Sequence, residues 1–427
     1  MRTLPHLALG LVVGWMAACS GNDGKRTPPN PAPPAEKQGK PDPKPTKKPT
    51  TRPKTVTTVD LWHTYRGAEK EALNQVIAAY NTSQSAIKLT VKAVPYDGFL
   101  DKLRVTIGAK RGPDLFIFAH NKLGPWTQAK MVAPLTTDVP PEVLARFEPA
   151  AVKAMVYEKS LYGLPLALKP LALFYNKALL PKVPDAMEAL IPLLKRVQTK
   201  KRHGIAYDAG QLFFHAQWIH AFGGGLLDAS LRPLLDHTAQ VKALAFARSL
   251  HDEHKILPKG LGGYMITSLF NKGQAATVIS GPWFRGEIVK GIDAGVVPIP
   301  SLGGKPARPF LSIEGVFVSS QSRVKRAALK AALHLAGDAS ATKRMTVGKQ
   351  TVANRAVLDA TRDPMVRVFR KAASQAVLMD ARPEMDEVWA PMNAALAAGI
   401  FGKKQSLKAL LRRAQERVVR AFHKLGK

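Results

Sequence analysis

Between Val56 and Phe118 the apolar residues switch repeatedly between two spacings, and this switching constrains the chain more than any other feature. Val56–Leu61 is β-branched and apolar, as a strand is. Gly67–Tyr80 carries Leu73, Val76, Ile77 and Tyr80 at helical spacing. Ile87–Val94 alternates apolar and polar residues as a second strand, and Asp97 is placed to cap a helix that buries Leu100, Leu103 and Ile107. Asp114 then precedes Leu115–Phe118, a continuous apolar run of the kind covered on both faces. Strand, helix, strand, helix and strand within about 62 residues predict a parallel, doubly wound α/β sheet.

Ligands of open α/β sheets sit beyond the carboxyl ends of the strands. The segments leaving those ends are Trp62-His63-Thr64-Tyr65-Arg66 and Ala119-His120-Asn121-Lys122, rich in polar and planar side chains. Further along, Tyr162–Tyr175 is mostly apolar but interrupted by Pro165, Lys169 and Pro170. Phe213, Phe214 and Trp218 precede the turn Gly223-Gly224-Gly225. Strands are expected over Ala275–Ile279 and Leu311–Ser319, with a largely helical remainder and a basic C-terminus. Residues 57–427 exceed one ordinary core, so two lobes are expected.

The N-terminal end has a different character. Arg2, the apolar run Leu7–Ala18 and small residues around Cys19 read as a secretory leader over 1–18, too short for a membrane span. Met16-Ala17-Ala18-Cys19 is similar to a bacterial lipobox, which implies lipidation of Cys19. As the only cysteine, it leaves no intrachain disulfide and no thiolate metal cluster. Residues 20–56 hold ten prolines and no aromatic residue, a composition that cannot pack a core. They form a tether that reaches on the order of 100 Å in polyproline geometry.

The chain carries a net charge of +32, of which Arg2 contributes one and the tether six, leaving +25 on the remainder. The sequence pI is near 10.3. The basic residues are scattered rather than gathered in one long cluster, and a secreted, tethered location argues against nucleic acid, which leaves a polyanion- or nucleic-acid-binding protein as a third reading. Anionic headgroups or an anionic ligand fit the charge better.

Four segments in register resemble the periplasmic maltose-binding proteins and the wider family of sugar receptors of ABC transporters. They are Gly112-Pro113-Asp114-Leu115-Phe116-Ile117-Phe118-Ala119-His120; Leu173-Phe174-Tyr175-Asn176-Lys177; Phe270-Asn271-Lys272-Gly273 running to Ser280-Gly281-Pro282-Trp283; and Pro383-Glu384-Met385 ahead of Trp389. The resemblance implies an α/β, two-lobed periplasmic-binding-protein fold with a hinge and an interlobe ligand cleft. It implies a first lobe of 57–167 plus 318–365 and a second of 172–312 plus 370–427. The implied partners are an oligosaccharide, permease subunits and, through the lipid, a membrane; the protein is expected to be a monomer without a cofactor.

The same resemblance nominates the site. Sugars present flat C–H faces rimmed with hydroxyls, so receptors combine aromatic platforms with hydrogen-bonding edges. Trp283 and Trp389 match stacking positions, Phe213 or Phe214 matches the aromatic of the second lobe's helix-capping loop, and Phe118 stands where a tryptophan is usual. His63, Thr64, Tyr65 and Arg66 of the first loop are expected contacts. Asn121 and Lys122 follow Ala-His where the maltose receptors place an acidic and a basic residue, and Lys169 stands where they carry a glutamate at the hinge. With two carboxylates replaced, the cleft is expected to be cationic. That makes an acidic sugar the alternative to a neutral maltodextrin, and a sensing or adhesive surface protein the alternative to transport. His120 is expected behind the site rather than in it.

Enzymatic motifs are lacking. The chain has no Gly-x-Ser-x-Gly elbow and no Gly-Lys-Ser/Thr phosphate loop. His251-Asp252-Glu253-His254 lacks the metalloprotease order and reads as exposed helix, and Gly260–Gly263 reads as a flexible loop.

Overall fold

The computed structural model describes residues 28–32 and 55–424; the expected leader and Cys19 lie outside them, as does most of the tether. The chain divides into Met1–Pro53 and a compact unit, Lys54–Lys427. In the former, residues 28–32 are exposed and belong to no helix or strand.

The first lobe of the compact unit begins with β1 (Thr57–His63), α1 (Gly67–Ser83), β2 (Ile87–Ala93), α2 (Tyr96–Gly108) and β3 (Leu115–Ala119). β1 pairs in parallel with both β2 and β3, the doubly wound start that the spacing predicts. Leu73, Val76, Ile77 and Tyr80 are the buried face of α1. α2 buries Leu103 and Ile107 together with Phe99. Its N-cap is Pro95, and Asp97 lies inside the first turn without capping it. There the carboxylate still favours the positive end of the helix dipole.

Next come β4 (Gly163–Lys169), β5 (Ala172–Asn176), β6 (His203–Ala206), α3 (Leu212–Ala221), α4 (Thr238–Asp252), α5 (Gly263–Asn271), β7 (Ala275–Ser280) and β8 (Ala294–Val297). The expected loop Gly260–Gly263 thus ends where α5 begins. β5, β6, β7 and β8 form a second sheet in the order β8-β5-β7-β6. β4, by contrast, belongs to the first sheet, so the chain passes between lobes at Lys169–Ala172.

β9 (Phe310–Val318) returns to the first sheet, antiparallel to β3 and to β4. Its first residues pair with β10 (Val377–Leu378) and β4, so Phe310–Ser312, expected in the second lobe, lie in the first sheet. An apolar strand with a buried slot on each side completes its ladder from its first residue. An irregularity between Glu314 and Gly315 shifts the register. α6 (Lys325–Ala336), α7 (Asp338–Thr346), α8 (Pro364–Gln375), α9 (Glu384–Phe401) and α10 (Leu407–Lys424) complete the chain.

Each sheet has its own core. Leu61, Phe116, Ile117 and Phe317 lie in the first. Leu173, Trp218, Leu244 and Leu411 lie on one face of the second sheet, and Phe174, Phe270 and Phe284 on the other. α8 belongs to both lobes: Val366 and Ala373 pack in the first core, Phe369 beside Phe174.

Candidate functional site in the interlobe cleft

The first lobe contributes a polar cluster built on the strand ends. The turn after β1 is fixed from inside, because the Tyr65 N–H donates to Nδ1 of the buried His63 at 2.9 Å. Burial and the nearby Lys70 lower the His63 pKa to about 4, so the ring is neutral at neutral pH. His63, expected as a ligand contact, therefore holds the loop instead. Tyr65 turns its hydroxyl to Glu314 of β9 and donates at 2.6 Å. Burial first, then the Glu314 charge, keep that phenol well above its usual pKa, so it stays a donor.

Lys169 at the end of β4 is buried, and its ammonium is committed. Nζ lies 2.5 Å from Glu69 Oε1 and 3.4 Å from Glu314 Oε2. Burial opposes its charge, but Glu314 and Glu69 outweigh burial and raise its pKa. Glu314 is itself raised by burial, with Lys169 pulling the other way. Behind this pair, Gln350 Nε2 donates to Glu69 Oε1 at 3.2 Å, and the buried Arg344 donates to Gln350 at 3.3 Å and to the Leu166 carbonyl at 2.8 Å. Two cations and two carboxylates thus form a balanced set beneath the cleft.

The cleft is expected to be cationic because two carboxylates are replaced, but the cations around it are paired with acids. Arg66 pairs with Glu287 at 2.5 Å, its guanidinium 4.8 Å from the Tyr264 ring centre. Lys122 pairs with Asp386 at the start of α9. Lys169 has two carboxylates, one of them on a strand that also bears on the cleft. The acceptor expected to be lost with the hinge glutamate is supplied from β9 by Glu314.

The second lobe contributes aromatic side chains. Trp283 lies in a 3-10 turn, Pro282–Glu287, just beyond β7. Its indole folds back over Gly281 so closely that a Cβ there would stand 2.0 Å from a ring carbon, so the Gly-Pro-Trp turn requires its glycine. Half-buried, Trp283 has its ring centre 6.4 Å from Phe213, and Lys169 Nζ lies 5.9 Å from it. Phe213 and Phe214, in the first turn of α3, meet edge to face at 5.4 Å and are both half-buried. Trp389 on α9 is also half-buried, 6.0 Å from Phe310, and its buried Nε1–H meets no acceptor among the described residues.

Phe118 is not a platform. It is buried, stacked at 4.9 Å on Phe99 and at 5.3 Å on Tyr96. The open ring here is Tyr96, 63% exposed; a tyrosine after Val94-Pro95 was the available signal. His120 lies behind the site as expected: the Ile313 N–H donates to Nδ1 at 3.0 Å and Nε2 donates to the Met379 carbonyl at 3.0 Å. Thr64 is half-buried and Asn121 buried, each beside one of these loops. Glu69, Glu287, Glu314 and Asp386 were missed. Glu314 alone left a trace, as a lone acid in the apolar strand Phe310–Val318.

The lobes touch across this site. A Cβ on Gly286 would stand 3.0 Å from Ala68 Cβ, and one on Gly67 3.6 Å from the Gly286 carbonyl oxygen. With Arg66–Glu287 and Lys122–Asp386, these contacts join the two rims.

The profile of the bacterial extracellular solute-binding protein family matches residues 66–341. The chain belongs to that family. A maltotriose-binding protein of Pyrococcus abyssi is 25% identical over 85% of this chain and 82% of its own length. A galactooligosaccharide-binding protein of Bacillus subtilis is 25% identical over 80% and 85%. The maltotriose-binding protein of Thermus thermophilus, solved with maltotriose, superposes with a TM-score of 0.80 at 25% identity, covering 85% of this chain and all of that one. The fold is the two-lobed α/β binding-protein fold, and its relatives are binding proteins rather than enzymes. Among the described residues no group of His, Cys, Asp and Glu side chains could hold a metal, and His251 instead has Nδ1 2.8 Å from the Leu257 carbonyl oxygen.

Proposed function

We propose that this protein is an extracytoplasmic receptor that binds a neutral, maltodextrin-like oligosaccharide between its lobes and delivers it to the permease subunits of an ABC transporter. The observation that carries this reading is the pairing of Phe213 and Trp283 opposite Tyr65, Glu314 and Lys169. Aromatic faces suit the C–H faces of a pyranose, and a phenol and carboxylates suit its hydroxyls. The maltotriose and galactooligosaccharide relatives support a neutral ligand, as does the pairing of Arg66, Lys122 and Lys169 with carboxylates. Tyr65, Trp283, Phe213, Phe214 and Trp389 are the contacts proposed, with Thr64 and Asn121 at the loop edges. Lipidation of Cys19 would hold the receptor at the membrane through the tether.

A thermal-shift and calorimetry panel of maltotriose, maltotetraose, a galactooligosaccharide and trigalacturonate tests the ligand. A sugar at 100 times its Kd adds about 2.7 kcal/mol of stability. Response to the uronate alone would reverse the assignment to a neutral sugar. The anchor is tested separately by fractionating cells that make the natural chain or its Cys19→Ala variant; a natural chain found wholly soluble rules the anchor out.

A further inference from the structure

The outward face of the C-terminal helix carries a charge that the cleft does not use. α10 buries Leu410, Leu411, Ala414, Val418 and Phe422, one side of a helix at 3.6 residues per turn. The opposite side is basic. From Lys403 to Lys424 the chain holds eight lysines and arginines against one acid, Glu416, while the chain as a whole runs at 63 against 31. All eight are exposed. Among the described residues only Arg412 has an ion pair, with Glu416 at 3.7 Å. Arg413 donates to Gln405, and Lys408 borders a recess that also holds Asp236.

We propose that this face docks on the surface of an anionic lipid bilayer. Its 18-residue helix spreads the cations over about 27 Å, which suits a plane of headgroup phosphates better than a compact ligand. Val419, 36% exposed, is the only large apolar side chain on its outward side, so the contact stays at headgroup depth and is electrostatic. Such attraction is worth about fivefold in binding per basic residue near the surface and fades beyond about 8 Å at physiological salt. It therefore acts only on a body already held close to a membrane. The preference for lipid over nucleic acid rests on the tethered reading above. Docking would set which side of the second lobe faces the membrane.

The test uses the chain from Ser20 onward, which lacks the leader and the lipidated cysteine but keeps the whole compact unit Lys54–Lys427. Co-sedimentation is measured with phosphatidylcholine vesicles, with and without phosphatidylglycerol, at low and high salt. Binding is expected only to the anionic vesicles and is reversed by salt. Joint reversal of Arg412→Glu, Arg413→Glu, Arg417→Glu and Arg420→Glu should weaken it about a hundredfold or more. Reversing exposed first-lobe cations, Lys88→Glu, Arg104→Glu, Arg111→Glu and Lys325→Glu, changes net charge equally and should cost far less. If the α10 variant melts early, the corresponding glutamines replace the glutamates. The proposal is overturned by no binding to anionic vesicles, by equal losses in the two variants, or by tighter binding to duplex DNA than to vesicles at the same salt. Because this chain cannot be lipidated, none of these outcomes bears on the Cys19 anchor.

Discussion

The two walls of the cleft are built on opposite principles. The first lobe presents ionisable groups, and each is already committed: Tyr65 to Glu314, Lys169 to Glu69 and Glu314, and Glu69 to Gln350 as well. The second lobe presents half-buried rings, Phe213, Phe214, Trp283 and Trp389, which rest on the apolar core of their own lobe, with Phe213 also meeting Phe214 and Trp283. A buried charge without a partner is costly, so polar side chains at a site must be satisfied before a ligand comes. A ring can wait at little cost. One wall therefore defines a fixed pattern of donors and acceptors, and the other supplies adaptable surface.

Removing a charge from the first wall should do the greatest damage. Lys169→Met leaves Glu69 and Glu314 facing each other in a buried site, at a cost of about 3–5 kcal/mol in urea unfolding. A loss under about 1 kcal/mol would show that water, rather than the opposing charges, satisfies this wall. Acid should come next, through the histidines behind this wall. Burial lowers His120 from 6.5 to about 4 despite its two backbone partners. Its folded pKa is depressed, so its stabilisation is full above pH 6.5 and is lost as pH falls towards about 4. This is worth about 3 kcal/mol, and His63 acts with the same sign. Unfolding measured from neutral pH down to about pH 4 should show that slope, and His120→Gln should remove the share due to His120 while the buried His63 and His215 keep the rest.

The aromatic wall should respond the other way round. Trp283→Ala should weaken maltotriose binding about thirtyfold, on the order of 2 kcal/mol, while moving the ligand-free melting temperature much less than Lys169→Met does. An early-melting variant would make Trp283 a core residue and blur the contrast between the walls. The smallest effect belongs to the rim: Arg66→Ala removes a partly exposed pair with Glu287 and should cost less than about 1 kcal/mol. A larger loss would mean that the rims, not the walls, hold the lobes together.

The first lobe was legible because its apolar spacing changes with each element, from Val59 and Leu61 on β1 to Leu73, Val76 and Ile77 on α1. The aromatic residues of the second lobe were nominated by the family resemblance, through the tryptophan that follows Ser-Gly-Pro. The charged wall was not. Lys169 and Glu69 are 100 residues apart, and only the folded sheet shows that the lysine's charge is cancelled. Phe118 misled for a related reason: an all-apolar run such as Leu115–Phe118 does not tell the covered end of a strand from its open end. Nor does a spacing argument reveal that Tyr96 lies over Phe118.

The helix shared by both lobes bears on how the molecule comes apart. Phe369 is sealed among second-lobe side chains, while Val366 and Ala373, on the same few turns, are sealed in the first. β9, threaded between β3 and β4, likewise needs segments that lie far apart along the chain. Severing the lobes would strip a face from α8 whichever half retained it. The two lobes should therefore denature cooperatively as one unit, and neither lobe should fold as an independent module.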